Sequence, residues 1–431
     1  MLVRTLSIDG WRQFGKIDIK FHPKLTVLTG SNGAGKSTLL KIISSTFGQN
    51  EILIATPLLS SNRRFVYSSG VTKPKISLSK DPNQNSFSRI GTVSFDEQNY
   101  SLRVPRDTGV SYNTVLFKEP IDPTYPYGIS QVQGFNGLHI RSHRPVPSYQ
   151  QVGNIPTNII TAQNAYSSYQ ETIHQLLSNN YSQYSTTYRI KEAIISMATF
   201  GPGNSNVQGN DDVNTIYNNF KVMLKKILPK EIGFKDINVR IPDVVLVTDS
   251  GEFIIDASSG GLMSLIDLAW QIFLYSIDNE SFTVLLDEPE NHLHPSMQRT
   301  VMSSLLSAFP NVQFIVATHS PFVVTSVKES SIYVLRHENI NNKDKAKWVH
   351  SHLLGDTNKS ATASETLREV LGVPVTLPQW AEDEIDLIIK KIQPTNFSDK
   401  TLENLREELK NSGLEDHFPA ALNSLLGKLH D

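Results

Sequence analysis

Gly30-Ser31-Asn32-Gly33-Ala34-Gly35-Lys36-Ser37-Thr38 is the stretch on which the fold turns. It satisfies G-x-x-x-x-G-K-[ST]. It follows Leu25-Thr26-Val27-Leu28-Thr29, a short β-branched run, and precedes apolar residues at helical spacing, Leu39, Leu40, Ile42, Ile43 and Phe47, which Gly48 stops. Strand, glycine-rich loop and helix, in that order, are what a phosphate-binding loop requires. The glycines let the backbone wrap so that successive N–H groups point inward, and the helix beginning near Gly35 adds the positive end of its dipole. Lys36 is expected to reach β- and γ-phosphates and the Ser37 hydroxyl to join a Mg²⁺ shell, making ATP and Mg²⁺ the expected ligands.

Upstream, Leu2–Ile8 and Lys16–Phe21 alternate like two strands around the turn Gly10-Trp11-Arg12-Gln13-Phe14-Gly15. Downstream, Thr283-Val284-Leu285-Leu286-Asp287-Glu288 is an apolar strand ending in two carboxylates. Asp287 could hold Mg²⁺ directly or through water, and Glu288 could polarise an attacking water. Alone, such a pair reads as a solvated acidic loop; the phosphate loop upstream gives it a task. Ser258-Ser259-Gly260-Gly261 precedes an apolar helix, Leu262–Ser276, and offers a second anion-binding helix start at Ser259 and Gly260. One chain has little use for two γ-phosphate cradles, so this one is expected to serve ATP held by another copy. Ala317-Thr318-His319-Ser320 closes a further apolar strand, and His319 could donate to the γ-phosphate.

Around these motifs the chain divides into four expected parts. Residues 1–50 and 251–350 alternate strand and helix as an α/β head with a parallel or mixed sheet; strand 312–317 and a hairpin at 332–335 and 348–350 belong to the second part, as does a helix at 295–308. Residues 51–250 read as an inserted lobe, β-rich to about 135 (90–95, 100–104) and then helical over 159–200 and 213–228. Residues 351–431, with GVPVTLP at 372–378, read as an acidic helical tail. Heptads and internal repeats are absent. Glu382-Asp383-Glu384 and Asp386 read as a solvated helix face rather than metal ligands. The basic clusters Arg63-Arg64 and Arg141, His143, Arg144 could meet phosphate, nucleotide or DNA, with surface charge as the plainer reading.

The order of these motifs resembles the ABC-type ATPase superfamily. Leu286-Asp287-Glu288-Pro289-Glu290-Asn291-His292-Leu293-His294-Pro295 is similar to the DEPE-x-HLHP segment of AAA-domain ATPases grouped with RecF, SMC heads and OLD-type proteins. Within that group the chain resembles ATPase subunits of bacterial anti-phage systems such as Septu (PtuA) and PARIS (AriA). The resemblance covers residues 1–50 and 250–325. It implies an ATP-binding and hydrolysing switch that self-associates through composite sites and controls a separate effector, a nuclease or toxin. The signature departs from Leu-Ser-Gly-Gly-Gln in having Ser258 for the Leu and Leu262 for the Gln. The family's Q-loop glutamine has three candidates, Gln150, Gln151 and Gln163. No strand–glutamate–glycine element of a TOPRIM nuclease follows the head, so an intrinsic nuclease is not expected.

The 431 residues are 39% hydrophobic and 19% charged, which excludes collagen-like and disordered classes. Zero cysteines exclude disulfides, thiolate nucleophiles and Cys-based metal sites, and a reducing cytoplasm fits best. Strictly apolar runs such as Val284-Leu285-Leu286 are short and Met1 leads into a strand-like pattern, so neither a membrane span nor a secretory leader is expected. Residues 1–150 carry 18 Lys and Arg against 9 Asp and Glu; the remainder carries 22 against 33. The basic first third keeps DNA as an alternative partner, in the manner of a RecF-like clamp, while the acidic remainder argues against non-specific coating of DNA. A transporter ATPase would call for a better signature motif and a membrane-facing coupling surface.

Overall fold

The computed structural model describes residues 1–49, 51–59, 64–71, 87–106, 108–119, 132, 134–144, 149–154, 159–178, 181–339, 347–355, 362–371, 378–392, 399–419, 421, 422 and 425. Arg63, nearly all of GVPVTLP and residues 340–346 of the polar stretch in the 332–350 hairpin lie outside them. The chain forms two compact units, Met1–Ala363 and Ser364–Asp431.

The first unit is built on an eleven-stranded sheet. Its order is Val115–Lys118, Gln98–Pro105, Phe87–Phe95, Val3–Trp11, Phe14–Lys20, Lys347–Leu353, Ser331–Asn339, Leu25–Gly30, Val312–Ala317, Phe282–Asp287 and Gly137–Ile140. The last five of these, from Ser331–Asn339 onward, run parallel to one another, and antiparallel pairs dominate the rest, so the sheet is mixed. Parallel neighbours need return segments on the sheet's faces, and those segments bury both sides of the strands. Adjacent residues accordingly enter different cores. Leu28, Leu285, Ile315 and Ala317 pack with Leu39, Leu40, Ile42 and Ile43 of the loop-following helix Lys36–Ser44. Val27, Val284, Leu286, Phe314 and Val316 pack with the helices of the opposite face. Each such buried Val, Leu, Ile or Phe contributes about 1.5–3 kcal/mol.

That opposite face is dominated by Gly260–Asp278, in which Gly261 through Leu274 are all buried. By length and composition this helix could cross a bilayer, which the short apolar runs had not suggested, but 78% of its most apolar window is buried inside the fold. Around it lie Ala162–Leu177, Thr186–Phe200 and Asp211–Ile227, and a three-stranded sheet of Phe234–Arg240, Asp243–Thr248 and Gly251–Ile254.

Several boundaries differ from the sequence expectation. Residues 51–250 are not a lobe hung on the head: 87–118 extend its sheet beyond Val3–Trp11, and 137–140 pair with 282–287. Amphipathic strands satisfy their backbone groups most fully on an available sheet edge, and local pattern does not say which edge that is. The tail begins later than 351, because Lys347–Leu353 is a sheet strand. The helix over 159–200 is two, the second capped by Ser185, and that over 295–308 is two, Pro295–Gln298 and Val301–Ala308, parted at Arg299-Thr300. In the second unit, Gln379–Ile392 and Asp399–Asn411 share a core including Ala381, Ile385, Ile388, Leu405 and Leu409, spaced as helix faces require.

Candidate functional site

Three adjacent strand ends form the site. Leu25–Gly30 and Phe282–Asp287 flank Val312–Ala317, whose Ala317 lies opposite both Leu28 and Asp287. Because the three run parallel, the loop at 30–38, the carboxylates at 287–288 and His319 emerge on one edge of the sheet.

The loop takes its shape from glycines in left-handed or open conformations, with φ of 141° at Gly30, 77° at Gly33 and 92° at Gly35. A Cβ on Gly30 would stand 2.3 Å from the Leu335 carbonyl oxygen, and one on Gly35 would stand 2.4 Å from the Phe14 ring and 2.6 Å from the Gln13 amide. Around Gly33 nothing lies within 4 Å of that position, leaving an open cradle. Ser31, Asn32 and Gly33 are exposed on its rim, Ala34 is buried beneath, and Thr38 is half-buried. Lys36 is nearly buried, its Nζ donating to the carbonyls of Gly30 (3.0 Å) and Ser31 (3.2 Å). Burial lowers its ammonium to about 8, against the pull of Glu288, Asp287 and Glu290.

Asp287 is buried, which raises its carboxyl, while a hydrogen bond from the Ser37 hydroxyl opposes the rise. Glu288 has φ 50°, a left-handed conformation costing a non-glycine residue about 1–3 kcal/mol. Its N–H donates to the Ala317 carbonyl (2.8 Å), its Oε2 accepts from the Asn291 amide (3.1 Å), and its Oε1 lies 3.8 Å from His319 Nε2. Burial, and next the charge of Lys36, lower the His319 imidazole. The loop carrying it is organised by Glu290, which accepts from the Thr318 hydroxyl (2.5 Å) and the N–H groups of His319 (2.9 Å) and Ser320 (3.1 Å).

The structure therefore gathers the loop, Asp287, Glu288 and His319. Ser259 and Gly260 are exposed at the start of the long buried helix, where the Ser259 hydroxyl accepts from the Leu262 N–H (3.3 Å). The Ser258 hydroxyl is buried and without a partner. None of the three candidate glutamines occupies the ground beside Asp287. Gln150 accepts from the N–H of Ser185 (3.0 Å) and donates to the Gln183 carbonyl (2.9 Å), while Gln151 and Gln163 are exposed.

That ground belongs to residues 141–144, which continue the strand paired with 282–287. Arg144 donates to the Ser264 hydroxyl and to the Glu288 carbonyl (3.0 Å). Buried Glu51 and His139 form a second cluster there with the half-exposed Arg141, with 3.2 Å from His139 Nδ1 and 2.9 Å from Arg141 to one Glu51 oxygen. Burial favours the neutral Glu51 carboxyl, yet the His139 hydrogen bond and the Arg141 charge together hold it at about 2. Sequence reading singled out Arg141 and Arg144 only as a basic cluster, and Glu290, Asn291 and Gln13 not as site residues; the second acid of DEPE was the available signal for Glu290.

The residues suit Mg-ATP: an open backbone cradle, a lysine held at its mouth, and Ser37 and Asp287 as two oxygen donors. Among the described residues no group of three or more His, Asp or Glu forms a protein-only metal cage. Two protein oxygens are what Mg²⁺ needs when phosphates and water complete its shell.

A phosphate loop and a carboxylate pair on parallel strand ends, with a separate glycine-rich helix start, define an ABC-type ATPase domain. The chain resembles AAA-domain ATPases over much of its length. A family model described as "AAA domain" matches residues 5–200, and one described as "AAA domain, putative AbiEii toxin, Type IV TA system" matches residues 245–325. The "Retron Vc95 probable ATPase" of Vibrio cholerae serotype O1 biovar El Tor is 23% identical, over 91% of this chain and 82% of its own length. The "Septu protein PtuA" of Bacillus mycoides (strain KBAB4) is 26% identical over 35% of this chain, a match spanning 22% of that protein. Among solved structures, the SMC head domain from Thermotoga maritima superposes with a TM-score of 0.44 and 13% identity, over 82% of this chain and all of that one.

Proposed function

We propose that the protein is an ATP-hydrolysing switch whose heads assemble around Mg-ATP. The observation that carries this is the division of the phosphate-binding groups. Lys36, Ser37, Asp287, Glu288 and His319 converge on one cradle, whereas Ser259 and Gly260 stand exposed on another helix start. In this reading Gly30–Thr38 bind the phosphates, Ser37 and Asp287 hold Mg²⁺, and Ser259 and Gly260 close on nucleotide in a second copy. Magnesium supplies charge neutralisation on the phosphate oxygens. Glu288, aimed by Asn291 and close to His319, is placed to accept a proton from water; His319, kept neutral by burial and Lys36, can donate a hydrogen bond without a full charge. Nucleotide that binds the closed assembly better than separated heads shifts the population toward closure.

The retron and Septu relatives support an output in anti-phage defence, exerted on a separate nuclease or toxin, with the second unit, Ser364–Asp431, as a docking element and a reducing cytoplasm as the setting. The test is light scattering after size exclusion of wild type and Glu288→Gln, with and without Mg-ATP, while identifying what co-purifies. Assembly on ATP that Glu288→Gln prolongs supports the switch. An unchanged monomer in every condition overturns it. The basic balance of residues 1–150 favours a second reading, an ATP-gated DNA clamp, which predicts salt-sensitive, ATP-dependent affinity for duplex DNA by the isolated protein.

A further inference from the structure

We infer that Arg144 is a positioning residue that ties the exposed helix start of one copy to that copy's own Glu288, so that hydrolysis at paired sites is interdependent. The inference rests on the composite-site reading above. Arg144 spans two elements. One guanidinium nitrogen, Nη1, donates to the hydroxyl of Ser264, and Nη2 donates to the backbone carbonyl of Glu288 at 3.0 Å. Ser264 in turn donates to the Asn291 carbonyl at 3.3 Å. The Asn291 side chain donates to Glu288 Oε2 and to the Ser142 carbonyl, both at 3.1 Å. The segment 142–144, the helix start and the loop 288–291 thus close a ring of hydrogen bonds around the Glu288 side chain and carbonyl.

The start of this helix is accessible, and the helix residue that joins the ring is not. Ser259 and Gly260 are exposed, while Ser264 is buried one turn further on, about 6 Å along the axis. Between them, a Cβ on Gly261 would stand 2.9 Å from the His292 carbonyl, so the helix start also rests directly on the loop that follows Glu288. A phosphate engaged at Ser259 and Gly260 therefore pulls on a buried helix whose second turn is hydrogen-bonded, through Arg144, to the carbonyl of a residue already in a left-handed backbone conformation. A small displacement there re-aims the Glu288 carboxylate. The fork matters because guanidinium presents donors on separate nitrogens at fixed spacing, whereas the donors of a lysine ammonium radiate from one nitrogen and do not reproduce that spacing.

The test uses the full chain with Arg144→Lys and, as a smaller change at the other end of the bridge, Ser264→Ala. ATP-driven assembly is followed by light scattering, and steady-state hydrolysis is measured across ATP concentration. For two coupled sites the wild type is expected to show a Hill coefficient approaching about 2. Both variants are expected to assemble on Mg-ATP, to keep KM within about twofold, to lose about tenfold in kcat and to fall to a Hill coefficient near 1. A wild-type coefficient of 1 overturns the proposal. So does a lowered kcat with the coefficient unchanged in Ser264→Ala, which would leave Arg144 a merely structural contact. If the wild type fails to assemble on Mg-ATP, the composite reading itself falls, an outcome separate from intact assembly without coupling.

Discussion

Raising pH should weaken nucleotide binding through one lysine. Lys36 is nearly buried and held by the Gly30 and Ser31 carbonyls, and burial brings its ammonium from the ordinary 10.5 to about 8. Phosphate needs the charged form. With a value of about 8, the charged fraction falls from roughly nine-tenths at pH 7 to roughly one-tenth at pH 9, so ATP affinity drops about tenfold, or about 1.4 kcal/mol. A lysine at its ordinary value would lose only a few per cent of its charge over that interval. Bound phosphate restores the charge, so binding above pH 8 takes up close to one proton. Calorimetric titration of Glu288→Gln with Mg-ATP from pH 7 to 9, in buffers of different ionisation enthalpy, reads both quantities. Lys36→Arg, charged throughout, should bind with little pH dependence. The sign for folding is opposite: a lowered lysine favours the neutral form in the fold, so the unliganded protein should gain stability as pH rises from about 8 toward 10.5. An affinity for ATP that stays level between pH 7 and 9 would refute the reasoning.

Other outcomes follow from the same geometry. Glu288→Gln should reduce hydrolysis by about 10²–10⁴-fold while nucleotide binding persists, measured by phosphate release against fluorescent-nucleotide titration. Gly33→Ala should cost about 1–3 kcal/mol for its left-handed backbone, since nothing lies within 4 Å of the added carbon, and should impair nucleotide binding more than folding. Gly30→Ala should unfold more readily than Gly33→Ala in urea, because its Cβ collides with the Leu335 carbonyl. Glu51, held at about 2, should contribute roughly 3 kcal/mol that is present above pH 4.5 and lost as pH falls through about 2. Acid unfolding of Glu51→Gln should lack that component; a wild-type profile in the variant would remove Glu51 from the account.

The phosphate loop was legible because its chemistry is local: the glycines at 30, 33 and 35 and the lysine at 36 act within one turn of chain, and the flanking strand and helix announce themselves by period. The strands at 282–287 and 312–317 were legible for a related reason, since burial on both faces makes them unbroken apolar runs. Residues 90–95 and 100–104 read as alternating strands, as they are, but not as members of the main sheet, because alternation says which residues face a core and not which edge supplies the hydrogen bonds. Gln150 was a reasonable candidate by residue type, and tertiary packing made it a cap for a helix start instead.

What the sequence by itself determined is thus the set of groups proposed to meet phosphate and metal: the loop at 30–38, Asp287, Glu288, His319 and the helix start at Ser259. Each is carried by a short segment whose backbone conformation follows from its own residues. Only the tertiary structure decided how these groups are aimed. Arg144 reaches the Glu288 carbonyl across 144 positions of chain, and Glu290 reaches the His319 loop across 28 to 30. Such partners are selected by the hydrogen-bonding demands of groups buried together after the sheet has formed, a requirement of three-dimensional packing that no local pattern records.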